Sequence, residues 1–219
     1  MSDPAGASTS GASTGPGSSG GAAPADSAEQ WPVHDVERIW QGSAPFSVRR
    51  DVISVPVYPD ERFGRLVLEH PGAVVVLAVD DRERAFVLRQ YRHPVGRRLV
   101  ELPAGLLDVP GEDPRIAAAR ELREEAQLVA GEWTHLLSTY TSPGLSSEQI
   151  HLYLARGLVE APDRGVDFEL HHEEADMTSG WVPVGDLLDG FMSGRLADGP
   201  LGHAVMAYVL GGHAAETAR

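Results

Sequence analysis

The chain of 219 residues has no cysteine, and its 18 basic and 32 acidic residues give a formal net charge of −14. That length holds one domain with a full core and at most a small accessory part. Lack of cysteine excludes disulfides, thiol chemistry and a thiolate zinc site. The acidic balance argues against nucleic acid, whose binding rests on clustered cations, but leaves open a small phosphate ester held by one or two arginines and a metal.

Residues 1–30 are mostly Gly, Ser, Ala, Thr and Pro, with no aromatic, Leu, Ile or Val. Such a segment buries too little apolar surface to offset its ordering entropy, so a disordered tail is expected. It lacks the basic start and apolar run of a signal peptide. No stretch approaches the roughly 18 apolar residues of a membrane span. A soluble, cytoplasmic protein with no membrane partner is expected.

Beyond the tail, alternation predicts strands over 46–55 and 65–70, with a turn at Pro59-Asp60 between them. Residues 73–79 and 85–90 read as buried strands around a polar turn at 80–84. A short strand over 99–102 leads into a loop at Pro103-Ala104-Gly105. A helix begins behind Asp113, a good N-cap, with Pro114 at the first helical position, where its missing N–H costs nothing. Strands follow over 133–139 and 150–155, then a loop rich in acid and histidine over 171–176. A strand over 178–182 and helices over 184–195 and 201–210 close the chain, which contains no internal repeat. Strands and helices mixed in this order predict an α/β fold, a sheet covered by helices on both faces.

The helix behind Asp113 carries most of the information. Glu121, Glu124 and Glu125 stand at i, i+3 and i+4, within an arc of roughly 100°. Ala118, Ala119, Leu122 and Ala126 form the adjoining face, which can pack inward. Like charges at these spacings repel. Glu124 has Arg120 four residues back, while Glu121 and Glu125 have no cation at their helical neighbour positions. A hard divalent ion with oxygen ligands would relieve that repulsion; an ordinary charged surface helix is the bland alternative.

The surroundings favour the ion. Gly105, then Glu112, seven residues, then Arg120-Glu121-Leu122-Arg123-Glu124-Glu125 resembles the signature of the Nudix hydrolases, G-x5-E-x7-R-E-U-x-E-E-x-G-U, with U aliphatic. Two positions depart from it. Six residues, not five, separate Gly105 from Glu112, and Gln127 stands where the final glycine belongs. The extra residue precedes the helix and leaves the carboxylate spacing alone. Gln127 matters if that position needs a positive φ, which costs a non-glycine residue roughly 1–2 kcal/mol; Gly131 offers a later stop.

Other segments are similar to the ADP-ribose pyrophosphatases within that family. They are Arg89-Gln90-Tyr91-Arg92-His93-Pro94, Glu101 through Asp108, and Pro143, fifteen residues beyond Leu128. The loop His171-His172-Glu173-Glu174-Ala175-Asp176 sits where those enzymes place a mobile catalytic glutamate. Taken alone, its histidines and glutamates read as a solvated loop. The resemblance implies a Nudix-type α/β/α sandwich with a mixed sheet over 71–219, preceded by a small N-terminal β subdomain over 31–70 for dimerisation and substrate contacts.

It also implies a mechanism. Glu121 and Glu125 would bind Mg²⁺ (or Mn²⁺), Glu124 would help with a second ion or its waters, and the Ala104 carbonyl would add a ligand. Arg120 would orient the cluster by pairing with a neighbouring carboxylate. Glu174 for preference, or Glu173, would take the proton from the attacking water. Arg92 would hold a phosphate. Phe46 or Trp40 would stack on an adenine, unless each is simply structural, and Arg49, Arg50 and Arg65 are further candidates for substrate contacts. The implied activity is Mg²⁺-dependent hydrolysis of the diphosphate of ADP-ribose to AMP and ribose 5-phosphate, by a homodimer. The alternatives are another nucleoside diphosphate sugar as substrate, or a non-catalytic Nudix-fold module that binds ADP-ribose.

Overall fold

A computed structural model describes residues 23–42, 45–163 and 176–214. The chain divides into Met1–Trp31 and a compact unit, Pro32–Arg219. Residues 23–31 are exposed and have no regular structure; the rest of the expected tail lies outside the described residues, as do Glu173 and Glu174.

Among the described residues the compact unit contains three sheets. In the first, β1 (Val33–Gln41), β2 (Ser47–Val55) and β3 (Tyr58–Glu69) form an antiparallel meander. The second has β5 (Arg84–Arg92) between β10 (Thr178–Pro183) and β6 (Arg97–Glu101). The third runs in the order β7 (Ala104–Leu106), β4 (Ala73–Ala78), β9 (Gln149–Glu160), β8 (Leu128–Tyr140). Its β4–β9 pair is parallel and its other pairs antiparallel, which makes it the expected mixed sheet. Three α-helices among the described residues complete the fold: α1 (Pro114–Ala126), α2 (Val184–Met192) and α3 (Gly199–Leu210).

Strand β4 is buried at every position, as a strand covered on both faces should be. Its side chains alternate between two cores. Val74, Val76 and Ala78 pack with Ala117, Ala118 and Leu122 of α1. Val75 and Leu77 pack with Leu187 of α2 and with Leu201, Val205 and Tyr208 of α3. Each fully buried Val or Leu contributes about 1.5–3 kcal/mol. The result is a helix layer on each face, the α/β/α arrangement expected.

Several local expectations need correction. The turn between β2 and β3 is at Pro56-Val57, not Pro59-Asp60. Pro59 lies inside β3, an edge strand, where a missing N–H is tolerated. The Pro103-Ala104-Gly105 stretch is only partly a loop, because Ala104 pairs with Val75 and Leu106 with Ala73. Strand β1 carries no clean alternation in the sequence and was not expected as an element. Its pairing with β2 shifts register twice, between Val33 and Asp35 and between Arg38 and Trp40; bulges of this kind erase a period-2 pattern. Gly131 does not stop the helix, since it lies within β8.

Candidate active site

Asp113 caps α1, its side chain accepting from the Arg115 N–H at 2.8 Å, with Pro114 next. The helix ends at Gln127, which adopts the left-handed conformation with φ 53° and whose N–H bonds the Arg123 carbonyl at 3.1 Å. The glycine position of the signature therefore does need a positive φ, and a glutamine supplies it.

Between these caps the three glutamates line a single cavity of about 670 Å³, together with Ala104, Gly105 and Arg120. Glu121 is only 9% exposed. A Cβ at position 105 would collide with its carboxyl group, so the glycine of the signature is a steric requirement of the glutamate. Burial pushes the Glu121 carboxyl up to about 7 against the opposing pull of Arg120, and Glu124 and Asp108 add to the rise. Asp108 comes from the loop that carries the extra residue.

Arg120 organises the cluster. Its Nη1 donates to Glu121 at 2.6 Å and to Glu124 at 3.3 Å, and its Nη2 donates to Glu112 at 3.2 Å. This corrects the expectation that Glu121 lacks a local cation: the arginine reaches it from the preceding position, outside the i±3 and i±4 pattern. It also gives a role to the isolated glutamate of the signature, Glu112. Glu125 accepts from the Ala104 N–H at 2.9 Å, joining α1 to β7. Among the described residues no three His, Asp or Glu side chains already form a closed metal cage. The donor set nevertheless fits a hard divalent cation. Hard carboxylate oxygens share the cavity with Ala104, and Gly105 leaves the space that the Glu121 carboxylate fills.

Arg92, at the end of β5, lines the same cavity. Its Nε and Nη2 form a fork on Glu101 at 2.8 and 2.6 Å. Asp198 is also there. It caps α3 by accepting from the Leu201 N–H at 2.8 Å, and burial pushes its carboxyl up to about 6. Phe46 has Trp40 and His70 as ring neighbours, with centroids 5.9 and 6.1 Å away, and His70 is 3.7 Å from Glu148. Phe46, His70 and Glu148 line the cavity.

The structure thus brings together Ala104, Glu121, Glu124, Glu125, Arg92 and Phe46. Arg49 and Arg65 do not line this cavity. Arg49 pairs with Asp51 at 2.8 Å and with Glu69, and the Arg65 guanidinium lies 4.3 Å over the Phe63 ring. Pro143 is in the turn after β8, in a loop whose Leu145 carbonyl accepts from the Leu68 N–H at 2.8 Å. Asp108, Glu148, His70 and Asp198 were not singled out from the sequence. Asp198-Gly199-Pro200 is a readable helix start, but nothing local indicates that this cap faces the cavity.

The NUDIX domain profile matches residues 69–200. The chain is 44% identical over 188 residues to the ADP-ribose pyrophosphatase of Mycobacterium tuberculosis, covering 84% of this chain and 86% of that protein. It is 45% identical over 94 residues to the ADP-ribose pyrophosphatase of Bacillus subtilis, covering 43% of this chain and half of that protein. A crystal structure described as an ADP compounds hydrolase superposes with a TM-score of 0.68 at 19% identity, over 86% of this chain and 98% of that one; at that identity the likeness concerns the fold.

Proposed function

The chain belongs to the Nudix family, and from that premise we propose that it is an ADP-ribose diphosphatase: water attacks the diphosphate of ADP-ribose, releasing AMP and ribose 5-phosphate. The observation that carries the reading is the convergence of Glu121, Glu124, Glu125, Ala104 and Arg92 on one cavity. The name of the M. tuberculosis relative supports the substrate.

Glu121, Glu125 and Ala104 would hold a divalent cation, Mg²⁺ in the first instance and Mn²⁺ as its substitute, with Glu124 serving a second ion or its waters. Such an ion neutralises charge on the diphosphate and lowers the pKa of a bound water. The chain's own groups do the rest. Arg120 keeps the carboxylates oriented, and Arg92 offers planar donors to a phosphate. Glu174, or Glu173, takes the proton from the water. Phe46 stands beside the adenine. Arg49 and Arg65 stay outside this set, since neither lines the cavity. We place the enzyme in the cytoplasm as a homodimer built on residues 31–70. No helix among the described residues is long and apolar enough to cross a membrane.

A panel of ADP-ribose, ADP-glucose, GDP-mannose, NADH and diadenosine polyphosphates, read as phosphate released by a coupled phosphatase, tests the substrate. ADP-ribose should give the highest kcat/KM with Mg²⁺. An equal or higher value for another member would replace ADP-ribose as the substrate and leave the family membership intact.

A further inference from the structure

We propose that Glu101 is a positioning residue: it orients Arg92 toward the diphosphate and indexes that arginine to the carboxylate end of the cavity through the short run from Glu101 to Ala104. The proposal rests on the reading of Arg92 as a phosphate ligand. The Arg92 side chain is 47% exposed at the cavity, whereas that of Glu101 is 7% exposed behind it. A guanidinium carries five N–H donors in one plane. Glu101 takes Nε at 2.8 Å and Nη2 at 2.6 Å, and makes no bond to Nη1. With the Nε/Nη2 edge fixed, the Nη1/Nη2 edge keeps two parallel N–H groups for a second oxyanion, the geometry in which arginine grips phosphate.

Stability alone does not explain this pair. Taking a carboxylate out of water is costly, and a well-packed apolar substitute for a buried ion pair is often at least as stable. What the fork does is hold a long, rotamer-rich side chain in one orientation before substrate arrives, removing an ordering cost from binding. Glu101 also ends β6, and the chain beyond it is tied down at once. The Pro103 carbonyl accepts from the Val76 N–H at 2.8 Å, and the Ala104 N–H donates to Glu125 at 2.9 Å. Two residues, Leu102 and Pro103, therefore separate the anchor of the arginine from Ala104, which is bonded to Glu125 of α1. The phosphate-holding and cation-holding groups share one rigid ruler.

The test is a double-mutant cycle on the full chain with ADP-ribose: Glu101→Gln, Arg92→Lys and both together, each read as kcat, KM, half-saturating Mg²⁺ and Tm. Glu101→Gln keeps the shape but sets an amide N–H against Nη2. Arg92→Lys keeps the charge but cannot fork. Each single change should raise KM by about tenfold to a hundredfold with half-saturating Mg²⁺ unchanged. The double variant should be no worse than the worse single one.

Full additivity, or a lowered Tm with KM unchanged, would overturn the positioning role. If Arg92→Lys leaves KM unchanged, the phosphate reading of Arg92 falls and the proposal with it. If the wild type prefers another nucleoside diphosphate sugar, only the substrate assignment changes and the same cycle is read on that compound. Should Glu101→Gln not fold, Glu101→Asp keeps the charge and shortens the fork by one methylene. It is expected to raise KM at near wild-type Tm, and an unchanged KM there also overturns the proposal.

Discussion

Glu121 is nearly buried, touches Arg120 and leaves no room for a side chain at position 105. Three changes around it should therefore share one signature. Glu121→Gln and Glu125→Gln would each remove the charge of a proposed cation ligand and should weaken Mg²⁺ binding and lower kcat together. Gly105→Ala should do the same without touching a ligand, because the new methyl displaces the Glu121 carboxyl group. Mg²⁺ titrations of activity check all three, and an Mg²⁺ dependence of Gly105→Ala equal to wild type would contradict the steric account. Glu174→Gln should differ in kind, leaving Mg²⁺ half-saturation nearly unchanged and lowering kcat by about 10²–10⁴-fold, the contribution of a general base. If Glu173→Gln alone shows that loss, Glu173 is the base. If both variants keep full activity, the base is elsewhere. At this scale the sequence is a good guide to side chains that act through fixed helical spacing. It is a poor guide to Asp108, Glu148 and His70, which reach the cavity through loop paths that no local pattern encodes.

Helix α1 is legible at its start, where the Asp113 cap and Pro114 are local signals; its end is not, because a glutamine makes the left-handed stop that a glycine would announce, and its buried alanines are Ala117 and Ala118 where the sequence points to Ala118 and Ala119. Asp113→Ala should cost about 1 kcal/mol of stability, read as a shift in the urea midpoint. Gln127→Gly should stabilise, since it relieves a left-handed non-glycine residue worth roughly 1–2 kcal/mol, less the extra backbone freedom glycine gives the unfolded chain. A midpoint no higher than wild type would show that the strain is already offset.

Helix α3 carries a pH dependence through its cap. Burial raises the folded-state pKa of Asp198 to about 6, above the ordinary value of about 4. The fold thus favours the protonated form, and this contribution is complete below about pH 4 and lost as pH rises through about 6. Asp198→Asn keeps a capping side chain without the charge, so its Tm should gain on wild type between pH 4 and 7. A constant difference across that range would contradict the assignment. Strand β1 marks where element-level reading stops: two bulges displace its alternation, and only pairing with β2 identifies it.

For the whole molecule, cover on both faces of the sheet is read from the mixed order of strands and helices, while the α/β/α sandwich itself is implied by the family resemblance; the structure places α1 on one face of β4 and α2 and α3 on the other. Its topology was not legible in the same way. Which strands neighbour β4, and that β9 joins it in parallel, depend on pairings far apart in the chain. The N-terminal sheet leaves Val36, Ile39 and Leu66 more than half exposed, at 55%, 52% and 52%. The proposed homodimer would cover these side chains. Sedimentation equilibrium should give twice the chain mass, and Ile39→Asp should shift it toward the monomer; a wild-type monomer at micromolar concentration would contradict the dimer.

In the proposed function the cavity between α1, β7 and the end of β5 hydrolyses ADP-ribose with a divalent cation. Following AMP from ADP-ribose with the purified full chain, across a titration of Mg²⁺, tests it most directly. No turnover is expected in chelator, then a saturable rise with Mg²⁺, with AMP and ribose 5-phosphate formed in equal amounts. Tight calorimetric binding of ADP-ribose with no AMP formed at saturating Mg²⁺ would contradict it and leave a binding module in place of an enzyme.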